Sequence, residues 1–345
     1  MDLTKPYTAV NAILDSIDFN ALFEGFHKYR FALYNSKNIF IDGKTIPYQE
    51  DFRGNTAKLH EGEYIAIWNM EFDPVDDPEH LAYCLVHEMF HCHQRTNNET
   101  RYPSDFELLN YPDDVENFVN KYNENRYLAD AYEQRDITLL RKFACIRERR
   151  FKRYPSMVRQ EWKAETLEGM AEYIALKALE HINAEKYRAI VNNYLKKLKA
   201  ESNLLFDVRR VSYFTGTVFF LCLEQFGFSV NNAFDSEKTA YEQNRMDLTD
   251  VTAEILPYDF ILGNYDQLQQ EKKAKVEEHI RHSKYIESDA VICGYDPMNM
   301  FRVGDMVYCS HFVYLDQKGE IITIHSAVAL KLAEGSNQTV VGYYV

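Results

Sequence analysis

The chain has 345 residues, of which 46% are hydrophobic and 14% aromatic, so it can bury a sizeable core divided over two or three subdomains. Its formal net charge of −14 argues against nucleic acid or an anionic membrane as the main partner. No run of about 18 apolar residues is present to span a membrane. The N-terminus also lacks the basic region and following apolar run that are typical of a signal peptide.

The six cysteines are scattered along the chain, with no C-x-x-C pair. This usage is typical of reduced thiols in a cytoplasmic protein. The cytoplasm is therefore the expected location, and a secreted form with a trimmed signal peptide is the alternative.

The N-terminal part of the chain predicts a helical segment followed by a small sheet. Residues 7–26 carry apolar side chains at helical spacing, and Asp18 is expected to break this segment into two helices. Asp42-Gly43 lies between two β-prone runs and predicts a hairpin. The predicted N-terminal subdomain covers residues 1–75.

A further strand is predicted directly before the helix that carries the most specific motif. Residues 64–72 are rich in β-branched and aromatic side chains. Two interpretations are open: an edge strand that pairs with an extended peptide, or an ordinary strand paired on both sides.

The stretch from Pro78 to His91 has the most specific chemical pattern in the chain. Pro78 suits a first helical turn, and the apolar residues that follow predict a buried helix. The sequence H-E-x-x-H places His87 and His91 one turn apart on the same face, where both imidazoles can bind one metal ion. Glu88 lies beside them as a candidate general base. His93 should point away from the pair and is expected at the surface.

Residues 113–151 carry apolar side chains at helical intervals in a polar background, which predicts helices. The basic run over residues 147–153 would suit nucleic acid. In a chain of net charge −14, we interpret this run as the solvated end of a helix. Pro155 then ends the pattern.

A second informative helix is predicted over residues 165–176. Glu165, Glu168 and Glu172 share one face of it. Gly169 costs roughly 1 kcal/mol of helix propensity, which indicates close approach of another helix or a metal centre. A zinc site with two histidines needs a third protein ligand. Because the metzincin continuation of H-E-x-x-H is absent, a glutamate on a separate helix is expected, and Glu168 is the best candidate.

The rest of the chain predicts further helices and then strands. Residues 184–199 form an amphipathic helix, residues 211–227 a buried one, and a charged helix follows. From Ala290 onward, β-prone runs alternate with turns. We therefore expect a helical lobe over residues 76–287, which carries the metal site, and a small C-terminal β domain over residues 288–345.

Three motifs occur in one order along the chain: His87-Glu88-x-x-His91, Glu168-Gly169-x-Ala171 and Tyr213-x-x-Gly216. This pattern resembles that of the gluzincins and is distantly similar to the aminopeptidase N family. The resemblance implies a zincin-like fold, a zinc ion bound by His87, His91 and Glu168, and stabilisation of an oxyanion by Tyr213. The chain departs from those aminopeptidases in having 76 residues between His91 and Glu168 and in lacking a G-A-M-E-N motif. Exopeptidase and endopeptidase activity are therefore equally open.

These observations together predict an α+β protein whose zincin-like catalytic domain combines a small N-terminal sheet with a mainly helical lobe, followed by the C-terminal β domain. The predicted function is a zinc-dependent metallopeptidase that acts on a peptide or protein substrate, with Glu88 as general base and Tyr213 at the oxyanion. Glu172 or Glu165 would orient a ligand imidazole.

The sequence leaves two alternatives to this function open. The first is a zincin-fold protein that binds metal or peptide without turnover, and the second is a helical structural protein in which the motifs are coincidental. Within the metal hypothesis, Mn²⁺, Co²⁺ or Fe²⁺ could replace zinc in a site of two histidines and a glutamate.

Overall fold

A computed structural model describes residues 2–111 and 114–345 and contains helices and two β-sheets, which confirms the α+β class. The chain begins with two helices, α1 (Thr4–Leu14) and α2 (Phe19–Leu22). The break expected at Asp18 is confirmed, because the Asp18 side chain accepts a hydrogen bond from the backbone N–H of Ala21 and so caps α2.

The N-terminal sheet has five strands: β1 (Phe31–Tyr34), β2 (Asn38–Ile41), β3 (Lys44–Pro47), β4 (Thr56–His60) and β5 (Glu63–Asn69). Their order across the sheet is β3-β2-β1-β5-β4, and only β1 and β5 run parallel. The hairpin predicted at Asp42-Gly43 is confirmed. Both residues have positive φ, 51° and 74°, as a type I′ turn requires.

The strand considered for a sheet edge lies inside the sheet. β5 pairs with β1 on one side and with β4 on the other, so the edge-strand interpretation of residues 64–72 is wrong and the ordinary paired strand is correct. The strand at this edge of the sheet is β4. Its sequence is polar, and Glu61 and Gly62, at φ of 52° and 89°, turn the chain back onto β5.

Helix α3 (Pro78–Thr96) packs against β5 and carries the H-E-x-x-H residues into the core. The Asp77 side chain accepts a hydrogen bond from the backbone N–H of Glu79, and Pro78 lies in the first turn, which confirms the predicted start. The apolar side chains of α3 are fully buried in the main hydrophobic cluster, among them Leu81, Leu85, Val86, Met89 and Phe90.

The central part of the chain is helical: α4 (Asp105–Leu108), α5 (Val115–Gln134), α6 (Ile137–Arg153), α7 (Pro155–Ala164), α8 (Met170–Ile182), α9 (Ala184–Lys199), α10 (Val208–Gln225), α11 (Ala240–Gln243) and α12 (Asp259–His282). A π-helical turn, Glu165–Gly169, joins α7 to α8, and a 3₁₀ turn, Asn203–Phe206, precedes α10. Helix α8 packs between α3 and α10. Within the described ranges, no helix is long and apolar enough to cross a membrane.

The basic run at the end of α6 is only partly solvated. Arg149, Lys152 and Arg153 are exposed, but Arg147 and Arg150 are buried and form ion pairs with Glu124 of α5. The interpretation of the whole run as a solvated helix end is therefore wrong. The two buried arginines are three residues apart, so they share the inward face of the helix.

The C-terminal sheet has seven strands: β6 (Tyr285–Tyr295), β7 (Met300–Val303), β8 (Met306–Cys309), β9 (Val313–Gln317), β10 (Glu320–Ile324), β11 (Val328–Leu332) and β12 (Thr339–Tyr344). Their order is β10-β9-β6-β12-β11-β8-β7, and every pairing is antiparallel. Phe106 of α4 packs into the hydrophobic cluster of this sheet. β6 begins at Tyr285, so the boundary predicted before residue 288 falls within a strand, and the division into subdomains stays a prediction.

Candidate metal centre

The imidazoles of His87 and His91 meet on one face of α3. Their Nε2 atoms are 3.0 Å apart. The protein holds the other nitrogen of each ring: His87 Nδ1 donates to Glu172 at 3.0 Å, and His91 Nδ1 donates to Gln94 at 2.7 Å. Because Nδ1 of both rings is engaged in this way, both Nε2 atoms are left to bind a metal ion.

Gln94 connects α3 to the π-helical turn. Its side-chain N–H donates to the carbonyl oxygen of Leu167 at 3.1 Å, which fixes the amide so that its oxygen faces His91. Leu167 directly precedes Glu168, so the same side chain orients one candidate ligand and holds the backbone beside another. Sequence analysis missed Gln94; its only local signal is its position three residues after His91 on the same helical face.

Glu168 lies in the π-helical turn and completes the group. Its Oε2 atom is 3.2 Å from His91 Nε2 and 3.6 Å from His87 Nε2. Bonds of about 2.0–2.2 Å in a tetrahedral zinc site place ligand atoms about 3.3 Å apart, and the distances of 3.0–3.6 Å lie on either side of that value. Of the residues that the structure describes, His87, His91 and Glu168 are the three that could hold a metal ion.

A contact between two glycines brings the motifs together. A Cβ atom on Gly169 would lie 2.7 Å from the Cα atom of Gly216, so only glycines allow the π-helical turn and α10 to cross this closely. This confirms the close helix approach predicted from Gly169. Each glycine belongs to a motif, and their contact places Tyr213 of α10 near the ligands. The Tyr213 ring is parallel to that of His87, with 6.2 Å between centroids.

Glu88 is a buried carboxylate with no internal partner. Its exposed fraction is 7%, and nowhere in residues 2–111 or 114–345 does it find a hydrogen-bond donor within the protein. Burial raises the pKa of Glu88, while the nearby His87 and His91 oppose that rise. A carboxylate with a raised pKa and no internal hydrogen bond is suited to accept a proton from a water molecule.

Tyr213 is held in its neutral form. Burial raises its pKa well above the usual range, and the Glu168 carboxylate adds to this effect. The hydroxyl therefore keeps its proton at neutral pH and remains a hydrogen-bond donor.

The ligands carry opposite charges when no metal is bound. Burial alone would lower the pKa of His91, but the Glu168 carboxylate outweighs it and raises this pKa to about 9. In the same way, His91 and then His87 overcome the burial effect and lower the pKa of Glu168. Binding of a divalent ion would therefore displace a proton from His91.

Glu172 forms hydrogen bonds with His87 and with two tyrosine hydroxyls. Its Oε2 atom accepts the His87 hydrogen bond, and its Oε1 atom accepts hydrogen bonds from the Tyr83 and Tyr194 hydroxyls. Burial raises the pKa of Glu172 to about 7, while Tyr194 and then Lys197 oppose the rise. Of the two glutamates predicted to orient a ligand imidazole, Glu172 is therefore the one in contact.

Glu165 contacts neither histidine. Its two carboxylate oxygens accept a bidentate pair of hydrogen bonds from Arg147, each of 2.6 Å, and Oε1 also accepts one from the Thr215 hydroxyl at 2.6 Å. Arg147 and Thr215 belong to α6 and α10, so Glu165 ties the π-helical turn to both helices. Glu165 therefore does not orient an imidazole, and of the two predicted alternatives this one is wrong.

His93 is buried, so the expectation of a surface histidine is wrong. Its exposed fraction is 3%, and it lies among four phenylalanine rings, those of Phe23, Phe26, Phe90 and Phe234. Burial lowers the pKa of His93 to about 4, so it is a neutral core residue.

Arg209 connects the candidate site to the C-terminal sheet. Its guanidinium group lies 3.4 Å from Glu168 Oε1 and forms an ion pair with Asp105. The Asp105 carboxylate also accepts a hydrogen bond of 3.2 Å from the hydroxyl of Tyr295 in β6. Sequence analysis missed Arg209, whose only signal is its position one helical turn before Tyr213.

No protein-family model matches this chain, and the searches of curated proteins and of solved structures found none that is similar to it. The likeness to gluzincins therefore rests on the motif residues alone.

Proposed function

We propose that this protein is a zinc-dependent metallopeptidase with a zincin-like fold of the gluzincin type. The observation that carries the proposal is the convergence of His87 Nε2, His91 Nε2 and Glu168 Oε2 within 3.6 Å of one another. Two imidazoles and one carboxylate are a usual donor set for catalytic zinc and leave a coordination position open.

Each remaining residue has a role in peptide hydrolysis. A zinc ion held by the three ligands would polarise the scissile carbonyl and lower the pKa of the attacking water. Glu88 takes the proton from that water and passes it to the leaving amine. Tyr213, kept protonated by its surroundings, donates a hydrogen bond to the oxyanion. Glu172 holds the His87 imidazole, and Gln94 the His91 imidazole, in the orientation that metal binding requires.

The second candidate is a zincin-fold protein that binds metal or peptide without turnover. Glu88 and Tyr213 favour the peptidase. A binding protein has no chemical use for a buried carboxylate without an internal hydrogen bond, since burying such a group costs free energy. The six free thiols support a cytoplasmic location for the enzyme, and a peptide or protein is its proposed substrate.

The first experiment measures metal content by mass spectrometry on purified protein. We expect about one zinc ion per chain in the wild type, and loss of that ion in His87→Ala and Glu168→Ala. Glu185→Ala, which removes an exposed carboxylate at the start of α9, is the matched control and should keep its zinc. Wild-type protein that stays metal-free after incubation with zinc would contradict the proposal.

The second experiment measures cleavage of a peptide library by the zinc-loaded protein. Glu88→Gln should retain zinc and lose activity. Tyr213→Phe should retain zinc with kcat lower by about 10²–10³, the cost of removing one oxyanion donor. Tyr173→Phe removes another largely buried hydroxyl, on α8, and should leave kcat unchanged. Zinc-loaded wild-type protein that cleaves no peptide would favour the binding protein instead.

A further inference from the structure

A cavity of about 580 Å³ lies between the helical part of the chain and the C-terminal sheet. Its lining comes from α4, α5, the 3₁₀ turn and the start of α10 on one side, and from α12 and the segment around β7 on the other. A volume of this size suits a small ligand or one or two peptide side chains. None of the three candidate metal ligands belongs to its wall.

Arg302 of β7 supplies this wall with a positive charge. Among the described residues, no carboxylate forms an ion pair with it. Its Nε atom donates to the carbonyl oxygen of Gly304 at 2.7 Å, and its Nη1 atom donates to the side-chain oxygens of Asn110 and Asn337. All three acceptors are neutral. They hold the guanidinium group in place without cancelling its charge, which is the condition for recognising an anion.

The acidic residues of the wall are already paired. Asp105 forms an ion pair with Arg209, and Asp207 forms one with Arg210. The charge that remains in the cavity is therefore positive, although the whole chain carries −14. Charge complementarity favours an anionic ligand at this place over a neutral or cationic one.

Apolar and aromatic side chains line the wall alongside several polar ones. Leu109, Phe206, Met298, Met300 and Phe301 contribute to it. Methionine side chains adapt their shape to bulky apolar groups, so this surface suits a large hydrophobic side chain without demanding one particular shape. The cavity thus combines a fixed cation with an adaptable apolar surface.

Arg209 belongs both to the wall of the cavity and to the surroundings of the metal ligands. Its guanidinium group contacts Glu168 and Asp105, and one of its nitrogens, Nε, is buried and lacks a partner in the described part of the chain. A ligand in the cavity would therefore lie next to Arg209, the same side chain that contacts the candidate metal ligand Glu168. Extended peptide advances about 3.3–3.6 Å per residue, so a few residues of one substrate can occupy both places.

We propose that this cavity binds the part of the substrate that flanks the scissile bond, and that it selects a carboxylate next to a bulky apolar side chain. Arg302 recognises the carboxylate, and the methionine and phenylalanine side chains receive the apolar group. The proposal rests on the peptidase function, because it names the substrate class of that same enzyme: acidic, hydrophobic peptides.

The test measures equilibrium binding of short peptides that carry an uncharged fluorophore to zinc-loaded Glu88→Gln, by fluorescence anisotropy. Two amidated peptides differ only in a Glu-Phe or a Gln-Phe pair. With Arg302 present, the Glu-Phe peptide should bind about tenfold or more tightly, as expected for a hydrogen bond to a charged group. Equal binding of the two peptides would overturn the proposal, and this comparison needs no substitution in the cavity.

The protein side of the test adds Arg302→Gln to the same background. The advantage of the Glu-Phe peptide should disappear in this variant. Arg281→Gln is the matched control, since it removes an exposed arginine at the end of α12 and changes the net charge equally; the advantage should persist there. An advantage that survives Arg302→Gln in folded, zinc-loaded protein would assign the recognition to a group other than Arg302 and overturn the proposal.

A third peptide, with Gln-Phe and a free C-terminal carboxylate, separates the two sources of the anion. Tight, Arg302-dependent binding of this peptide would assign the cavity to a chain terminus, and weak binding would assign it to an acidic side chain. The two proposals can also fail separately. Arg302-dependent binding without cleavage by the wild type would disprove the peptidase and the role of the cavity in substrate selection, but leave the cavity as a peptide-binding site. Cleavage that does not distinguish Glu from Gln would disprove only the cavity assignment.

Discussion

Glu172 is the residue that fixes the orientation of the His87 ring, because it accepts the Nδ1 hydrogen bond at 3.0 Å. We expect Glu172→Gln to keep the shape of the side chain but weaken zinc binding about 10–100-fold, as is usual for the loss of a partner that orients a metal-bound histidine. Zinc affinity would be measured by competition with a chelator. Glu185→Gln, at an exposed position, should bind zinc as the wild type does. Equal affinities in the two variants would show that Glu172 does not support the ligand.

Residues near the metal ligands differ in how visible they are in the sequence. His87, Glu88 and His91 stand within five positions on one helix, so the motif contains the geometry. Gln94 and Arg209 carry no such signal. Each acts through partners at distant positions in the chain, and a side chain that acts in this way is recognisable only once the fold brings its partners together.

At the scale of secondary-structure elements, the crossing of the π-helical turn with α10 depends on two glycines. A Cβ atom at position 169 would lie 2.7 Å from the Gly216 Cα atom. Gly169→Ala should therefore push the elements apart and lower the free energy of unfolding by about 1–3 kcal/mol, the usual cost of overpacking. It should also weaken zinc binding, because Glu168 directly precedes the substituted residue. Urea denaturation and chelator competition would measure the two effects.

Gly263 is the control for this substitution. It lies in α12, where a Cβ atom would meet no other atom within 4 Å. Gly263→Ala should be neutral or stabilising by up to about 1 kcal/mol, since alanine has the higher helix propensity. Equal effects of the two alanine substitutions would contradict the idea that close contact requires glycine at position 169.

The ion pair between Arg147 and Glu165 holds the same turn from the other side. Glu165→Gln removes the charge that Arg147 contacts and should weaken zinc binding about 2- to 30-fold, the range that corresponds to 0.5–2 kcal/mol of coupling through a packed network. Glu161→Gln removes an equally buried charge from the same network, where Glu161 contacts Lys121 and Arg150. It should lower stability without changing zinc affinity. Similar zinc affinities in both variants would mean that the ion pair does not position the turn.

Elements with local signals were predicted from the sequence, and those that depend on tertiary partners were not. The start of α3 and the hairpin at Asp42-Gly43 follow from caps and turn residues that act on their immediate neighbours. The edge strand β4 has a polar sequence, so its assignment depends on pairing with β5. The burial of His93 likewise depends on tertiary partners, because three of the rings around it, Phe23, Phe26 and Phe234, are far from it in the chain.

At the scale of the whole molecule, the buried ion network makes stability depend on pH. Burial alone would raise the pKa values of Glu124 and Glu161, but Arg150 and Lys121 outweigh it and lower both. A carboxyl group with a lowered pKa in the folded chain stabilises that chain above its unfolded pKa of about 4.3. The contribution is lost as pH falls through the folded pKa. Acid therefore leaves the cations of the network buried without partners.

We expect the free energy of unfolding of the metal-free protein, measured with urea and a chelator, to fall as pH is lowered from about 5 toward about 3. Each such carboxyl group contributes a slope of up to about 1.4 kcal/mol per pH unit. Glu161→Gln should be less stable than the wild type at pH 7 but show a shallower slope by up to that amount, whereas Glu185→Gln should keep the wild-type slope. A simple loss of packing would lower stability equally at every pH. A slope for Glu161→Gln that equals the wild-type slope would therefore show that the carboxylate is not held ionised by the network.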